Sequence, residues 1–228
     1  GGYTQNDVQE LARILTGALS ERFGASKSST LNQLDAALGS VDDLLQTLLD
    51  ISKLDTGAVQ PQLQPVDLHE LLRGIGASFQ PVAAQRGLRL RIVPSRAIAL
   101  TDPALLRRIL QNFLSNALRY TRPGGKVLIG CRRRAGRIAL EVWDTGIGIP
   151  DSQRLVIFEE FRRGNNDPDT PPGLGLGLAI VDRIARMLED PVWVRSWPGS
   201  GSVFWVSVPR SADAPLAKVP GTRDGPRG

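Results

Sequence analysis

Asp144-Thr145-Gly146-Ile147-Gly148-Ile149-Pro150 places one carboxylate ahead of two glycines, and Gly173-Leu174-Gly175-Leu176-Gly177-Leu178 closes the same stretch with three more. Between them runs a polar segment bearing Pro and Asp, with one apolar island, Ile157-Phe158-Glu159-Glu160-Phe161. Glycines let backbone N–H groups approach a polyphosphate with no Cβ in the way, and successive N–H groups form an anion cradle. The second cluster runs into Leu178-Ala179-Ile180-Val181, with Ile184, Ala185 and Leu188 at helical spacing. Its last glycines therefore fall at a helix N-terminus, where the positive end of the dipole favours phosphate. Upstream, Asn112 and Asn116 stand at i and i+4, so both amides share one helical face. Asn116 offers an amide oxygen to a hard cation such as Mg2+, which prefers oxygen ligands, keeps waters and leans on substrate phosphates. The competing reading gives the glycines to ordinary turns and tight helix packing. The carboxylate, the lid-like spacer and the Asn pair together favour a nucleotide.

Positioning these residues takes a helix and strands in a defined order. Asp102 sits as N-cap ahead of Pro103 at the first helical turn, and the helix that follows carries the Asn pair. Leu105, Leu106, Ile109, Leu110, Phe113, Leu114 and Leu118 give that helix a buried face. Leu68 to Arg86 reads as a second helix, irregular near Gly74 and Gly76, and Leu88 to Val93 alternates as a half-buried strand. Lys126–Cys131 and Arg137–Trp143 predict a hairpin across Arg134-Ala135-Gly136, and Val192–Trp197 and Ser202–Val208 another across Pro198–Gly201. Hairpins rather than crossovers imply a largely antiparallel sheet with helices on one face. Asp144 then stands at a strand's end as an inward-facing carboxylate.

Ahead of this domain, Asp7 to Phe23 places Val8, Leu11, Leu15 and Leu19 at helical intervals. Gly24–Ser29 breaks the pattern, and a second helix carries Leu31, Leu34, Leu38, Val41, Leu45 and Leu48 as a heptad-like seam. So small a hairpin cannot bury its apolar stripe alone, which predicts a homodimer through residues 7–55, closed as a four-helix bundle. The expected organisation is a hairpin at 1–58, an extended linker at 59–65 holding Pro61 and Pro65, an α/β domain at 66–210, and a Pro- and Gly-rich disordered tail at 211–228.

Composition excludes several classes. The 228 residues carry 28 Lys and Arg against 23 Asp and Glu, a net charge of +5, which raises the question of nucleic acid. The basic residues are scattered, and the densest cluster, Arg132-Arg133-Arg134, reads as a hairpin turn, so no nucleic-acid partner is expected. No apolar run approaches the roughly 20 residues needed to span a bilayer, and no signal-peptide pattern opens the chain. The single cysteine, Cys131, rules out an internal disulfide framework and suits a reducing cytoplasm.

At the glycine and asparagine motifs the chain resembles the bacterial sensor histidine kinases of the GHKL ATPase superfamily. The N box is similar to Gln111–Thr121, the first glycine box to Asp144–Gly148, the F box to Phe158 and Phe161, and the second glycine box to Gly173–Leu178. The resemblance covers most of Leu63 to Arg210 and implies an α+β architecture: a dimerising helical hairpin, then a two-layer α/β sandwich of the Bergerat type that binds ATP with Mg2+. It assigns Asp144 the adenine exocyclic amine, with Gly146 and Gly148 giving the base room; the competing role is a turn cap. Arg119 and Tyr120 lie where phosphates and ribose would pass. Arg162 and Arg163 are candidate phosphate clamps or simply solvated lid charges. Gly173, Gly175, Leu176, Gly177 and Leu178 fall in the phosphate cradle. In the hydrolytic branches of the superfamily the place of Asn112 holds a Glu that activates water. An amide cannot take that proton, so the site is expected to hold ATP and pass its γ-phosphoryl on.

The acceptor is the difficulty. A histidine kinase needs a His on the first hairpin helix, and this chain's one His, His69, follows the linker at a surface-helix position. Tyr3 or Asn6, the latter followed by Asp7, lies near the expected slot. The second hairpin helix reads as several residues longer than the first, implying that part of the first is missing. The expectation is a kinase core lacking its phosphoacceptor, serving a response-regulator receiver domain. A non-catalytic, ATP-binding dimeric scaffold is the main alternative. A Ser/Thr kinase of the anti-sigma-factor type sits poorly with the long hairpin, and a slow ATPase with Asn112.

Overall fold

The computed structural model describes residues 59–134, 136–154, 156–159 and 176–211; the hairpin read from 1–58 and all but the first residue of the expected tail lie outside them. In chain order come β1 (Gln64–Asp67), α1 (Leu68–Gln85), β2 (Arg89–Ile92), β3 (Ile98–Thr101), α2 (Pro103–Tyr120), β4 (Lys126–Arg134) and β5 (Arg137–Asp144). A 3-10 turn at Asp151–Gln153, then α3 (Gly177–Leu188), β6 (Val192–Trp197) and β7 (Gly201–Pro209) complete the order. The main sheet runs β2-β4-β5-β7-β6, and β1 pairs with β3 as a separate two-stranded ribbon. Only the β2–β4 pairing is parallel; β4–β5, β5–β7 and β6–β7 are antiparallel. No helix among the described residues is long and apolar enough to cross a membrane.

Helix α2 is the beam on which the rest is hung, and its start is built from local chemistry. The Asp102 carboxylate accepts from the N–H groups of Ala104 (2.9 Å) and Leu105 (3.0 Å) with Oδ1, while Oδ2 accepts from Gln62 N–H at 2.9 Å. Asp102→Ala would leave the two first-turn donors without partners and release the strand-side Gln62. A loss of about 1–2 kcal/mol is expected, read as a shifted urea midpoint. Leu106, Ile109, Leu110, Phe113, Leu114 and Leu118 are buried, as their spacing predicts, but Leu105 is only half-buried. It lies off the centre of the apolar stripe, and Ala117, three turns further on, is buried as well.

Inward residues of the sheet meet this helix face. The Phe113 and Phe204 rings lie 5.4 Å apart, and Ile129, Ile138 and Leu140 are fully buried beneath them. Burying each such side chain contributes roughly 1.5–3 kcal/mol, so the layer contact dominates the fold. Helix α1 runs without interruption through Gly74 and Gly76, contrary to the expected irregularity. Gly76 has a packing role instead: a Cβ there would stand 2.6 Å from Ile92 Cγ1, so its absence lets α1 lie directly on β2.

Two boundaries move. Arg132, Arg133 and Arg134 belong to β4, paired with Ala139, Ile138 and Arg137, so the ladder runs on through the expected turn. Gly136, just ahead of β5, has φ +80°, the left-handed backbone a tight reversal needs. Gln64 and Pro65, read as the end of a linker, are the first residues of β1 and pair with Thr101 and Leu100. At the far end Ser211 N–H still donates to Ile98 O.

Candidate nucleotide site

The C-terminal half of α2 touches both glycine clusters. At one end the Asn112 amide oxygen lies 2.6 Å from where a Gly177 Cβ would be, at the start of α3. Its Nδ2 donates to Arg108 O at 2.8 Å, which fixes the amide's orientation. Eight residues on, Tyr120 O accepts from Ile147 N–H at 3.2 Å, and a Gly146 Cβ would stand 2.4 Å from that same oxygen. Helix rise separates these two contacts by about 12 Å. Asn116 lies midway, on the same face as Asn112. Asn116, Arg119 and Tyr120 are half-buried. The sequence motifs Asn112, Asn116, Tyr120, Gly146 and Gly177 are therefore brought together by one helix.

Asp144 ends β5 at the Tyr120 end of this row, beside Gly146. Its Oδ1 accepts from Gly146 N–H (2.8 Å) and Ser202 N–H (3.2 Å), so the turn-cap role considered from sequence is real. The cap uses one oxygen; Oδ2 accepts no hydrogen bond among the described residues and is left for another donor. Burial raises this carboxyl to about 6 against the opposing pull of the two N–H donors.

A third wall was not legible in the sequence. The turn between β6 and β7 is fastened to the first glycine box: Gly199 N–H donates to Ile147 O (2.7 Å), and Ile149 N–H donates to Ser196 Oγ (2.7 Å). The Ser196 and Ser202 hydroxyls lie 2.8 Å apart, and both residues are buried. Gly148 has φ +70°, and a Cβ there would stand 2.3 Å from Trp197 O. The only sequence signal for this wall is the Gly199 and Gly201 pair, because serine hydroxyls announce no distant partner.

Helix α3 opens at Gly177 with Leu176 as N-cap, and among the described residues no side chain caps its first-turn N–H groups. Those donors face the end of the site where Asn112 stands, and they fit an anionic group. Leu176 is buried and Leu178 half-buried. In the intervening segment Ile157 is buried and Phe158 half-buried, held by Ile157 N–H on Gln153 O at 3.1 Å. Phe161, Arg162, Arg163, Gly173 and Gly175 lie outside the described residues, as do Tyr3 and Asn6.

Residues 101–212 match the family model for histidine kinase-, DNA gyrase B- and HSP90-like ATPases. These residues form a GHKL ATPase domain of the histidine-kinase type. Among relatives, the chain is 35% identical over 173 residues to the sensor histidine kinase TmoS of Ectopseudomonas mendocina, covering 74% of this chain and 18% of TmoS. It is 33% identical over 174 residues to drug sensory protein A of Synechocystis, covering 71% of this chain and 26% of that protein. Full-length ShkA, solved in complex with AMPPNP, superposes with a TM-score of 0.73 at 28% identity, over 91% of this chain and 47% of ShkA. The chain spans about a quarter or less of these two sequence relatives.

Proposed function

We propose that the chain is the cytoplasmic kinase core of a two-component sensor histidine kinase. It binds Mg-ATP for phosphoryl transfer to a His, and from there to a response-regulator Asp, with the phosphoacceptor His absent from its own residues. The observation that carries this reading is the span of α2 between both glycine boxes, with Asp144 Oδ2 at the first of them accepting no hydrogen bond among the described residues. In this reading Asp144 accepts from the adenine amine, and the α3 N–H groups cradle the phosphates. Asn116 would hold Mg2+, which when bound neutralises charge on the β- and γ-phosphate oxygens. Asn112, tied to Arg108 O, supplies no base for water, so the γ-phosphoryl waits for an imidazole.

His69 supports the missing-acceptor half of the reading. It is exposed in the first turn of α1, with its N–H donating to Asp67 Oδ1, and belongs to the ATPase domain rather than to the hairpin. The same absence favours the second reading, a dimeric scaffold that uses ATP as a conformational ligand. Titration with a fluorescent ATP analogue and Mg2+ is expected to saturate at micromolar concentration, and no uptake would overturn both readings. The purified chain is expected to form no acid-labile phosphohistidine from labelled ATP. Adding a separate hairpin that carries a His decides the rest: phosphate on that His supports the kinase, and none despite bound ATP supports the scaffold.

A further inference from the structure

All four tryptophans of the chain lie on one face of the main sheet, the face turned away from the helices. The register fixes this. Phe204 and Val142 pair with each other and Phe204 meets Phe113 of α2, so the alternate residues Trp143, Val203 and Trp205 project to the other side. Trp193 pairs with Trp205, and Trp197 lies opposite Gly201, which has no side chain to stop it reaching across β7. Trp193 and Trp205 stack at 5.7 Å, and Trp143 and Trp197 stack at 6.3 Å. Trp193 remains 43% exposed and Trp197 41%.

Cations surround the indoles. Arg132 lies 6.0 Å over the Trp143 ring and Arg195 5.5 Å over the Trp197 ring. Arg89 and Arg91 pair with Lys126 and Leu128 in the same outward register and are exposed. The carboxylate on this face is Glu141, which is buried and engaged by Arg132 (3.1 Å), Arg134 (3.6 Å) and the Trp143 indole N–H (2.9 Å). It leaves the surrounding arginines in excess.

The geometry points to a docking surface for the acidic face of another folded protein. Tryptophan and arginine are the residues enriched where protein partners bind tightly, whereas a merely solvated face favours Lys and Glu. Charge complementarity selects an acidic partner and disfavours a second copy of this chain, whose own arginines would oppose these. Single-stranded nucleic acid fits less well. Bases need a free ring face on each aromatic, and here every indole has one face stacked on another indole.

Panning a random 12-residue peptide library on the immobilised chain tests this. The expected result is a set of Asp- and Glu-rich peptides bearing apolar side chains, which change the tryptophan fluorescence on binding. Trp193→Ala, and separately Arg91→Glu with Arg195→Glu, should each weaken the selected peptides at least tenfold while ATP-analogue titration of the same samples is unchanged. The arginine variants touch only exposed side chains, so they report even if Trp193→Ala disturbs the strand. Peptides without acidic bias, or peptides indifferent to these substitutions, would overturn the proposal. So would a labelled dT20 oligonucleotide that binds more tightly than every selected peptide.

Discussion

Asp144→Asn is expected to lower nucleotide affinity at least about 100-fold while leaving the domain folded. The substituted amide keeps an oxygen that can accept from Gly146 N–H and Ser202 N–H, the two bonds that shape the turn. Its NH2 group then occupies the position of Oδ2, the oxygen the proposed function reserves for the adenine amine. Two donors would face each other across a partly buried contact, where losing a charge-assisted hydrogen bond and stranding a donor is worth about 3 kcal/mol. Calorimetric titration with ADP and Mg2+, alongside urea unfolding, separates the two effects. An Asn variant that binds within tenfold of the parent would remove Asp144 from its proposed role.

The same carboxyl makes binding and stability respond to pH in opposite directions. Burial raises Asp144 from 3.8 to about 6. A group raised on folding contributes stability that is fully present below its unfolded value and lost as pH rises through the folded one. Ionising Asp144 in the free domain therefore removes about 3 kcal/mol between pH 4 and 6. A donor on Oδ2 favours the ionised form, so nucleotide should pull the titration downward, and affinity should fall by up to tenfold for each pH unit below 6. The Asp144 carboxyl carbon resonance is expected to titrate near pH 6 in the free domain and below 5 with ADP bound. An unchanged midpoint would mean that no donor reaches the carboxylate.

What could be read in the sequence was what is settled by neighbours along the chain. Asp102 and Pro103 mark the start of α2 within two residues, and the glycine boxes are contiguous, so the helix and the candidate cradle were both visible. Residues whose surroundings come from distant strands were not. Arg132 to Arg134 look like a turn because nothing local reveals that β5 continues opposite them as far as Arg137. The parallel partnership of β2 with β4 crosses the whole of α2, and no local pattern encodes it. Trp143 and Trp197 are neighbours only because β7 slots between β5 and β6, so an outer face that had seemed merely basic proves to be aromatic as well. Ser196 and Ser202 belong with this group, since their value to the site lies in reaching across to Ile149 and Asp144.

The connection between those serines supplies the second large effect. Gly201→Ala is expected to destabilise the domain by about 3 kcal/mol and to weaken nucleotide binding as well. Gly201 has φ +108°, and a Cβ there would fall 2.0 Å from Asp144 O and 2.9 Å from Thr145 Cα. Both are backbone atoms, so no side chain can swing away. Positive φ alone costs an alanine about 1–2 kcal/mol, and forcing the two strands apart adds a further 1–3. The displaced residue immediately precedes Ser202, whose N–H bonds Asp144 Oδ1, so the carboxylate loses a donor in the same movement. Gly199→Ala is the internal comparison. It shares the positive φ, at +76°, but a Cβ there meets nothing within 4 Å, so about 1 kcal/mol and near-normal binding are expected. Urea midpoints and ADP titrations of the two variants side by side give the answer. If both lose the same stability and the same affinity, the turn acts through backbone conformation alone, and its close contact with Asp144 does not hold the site.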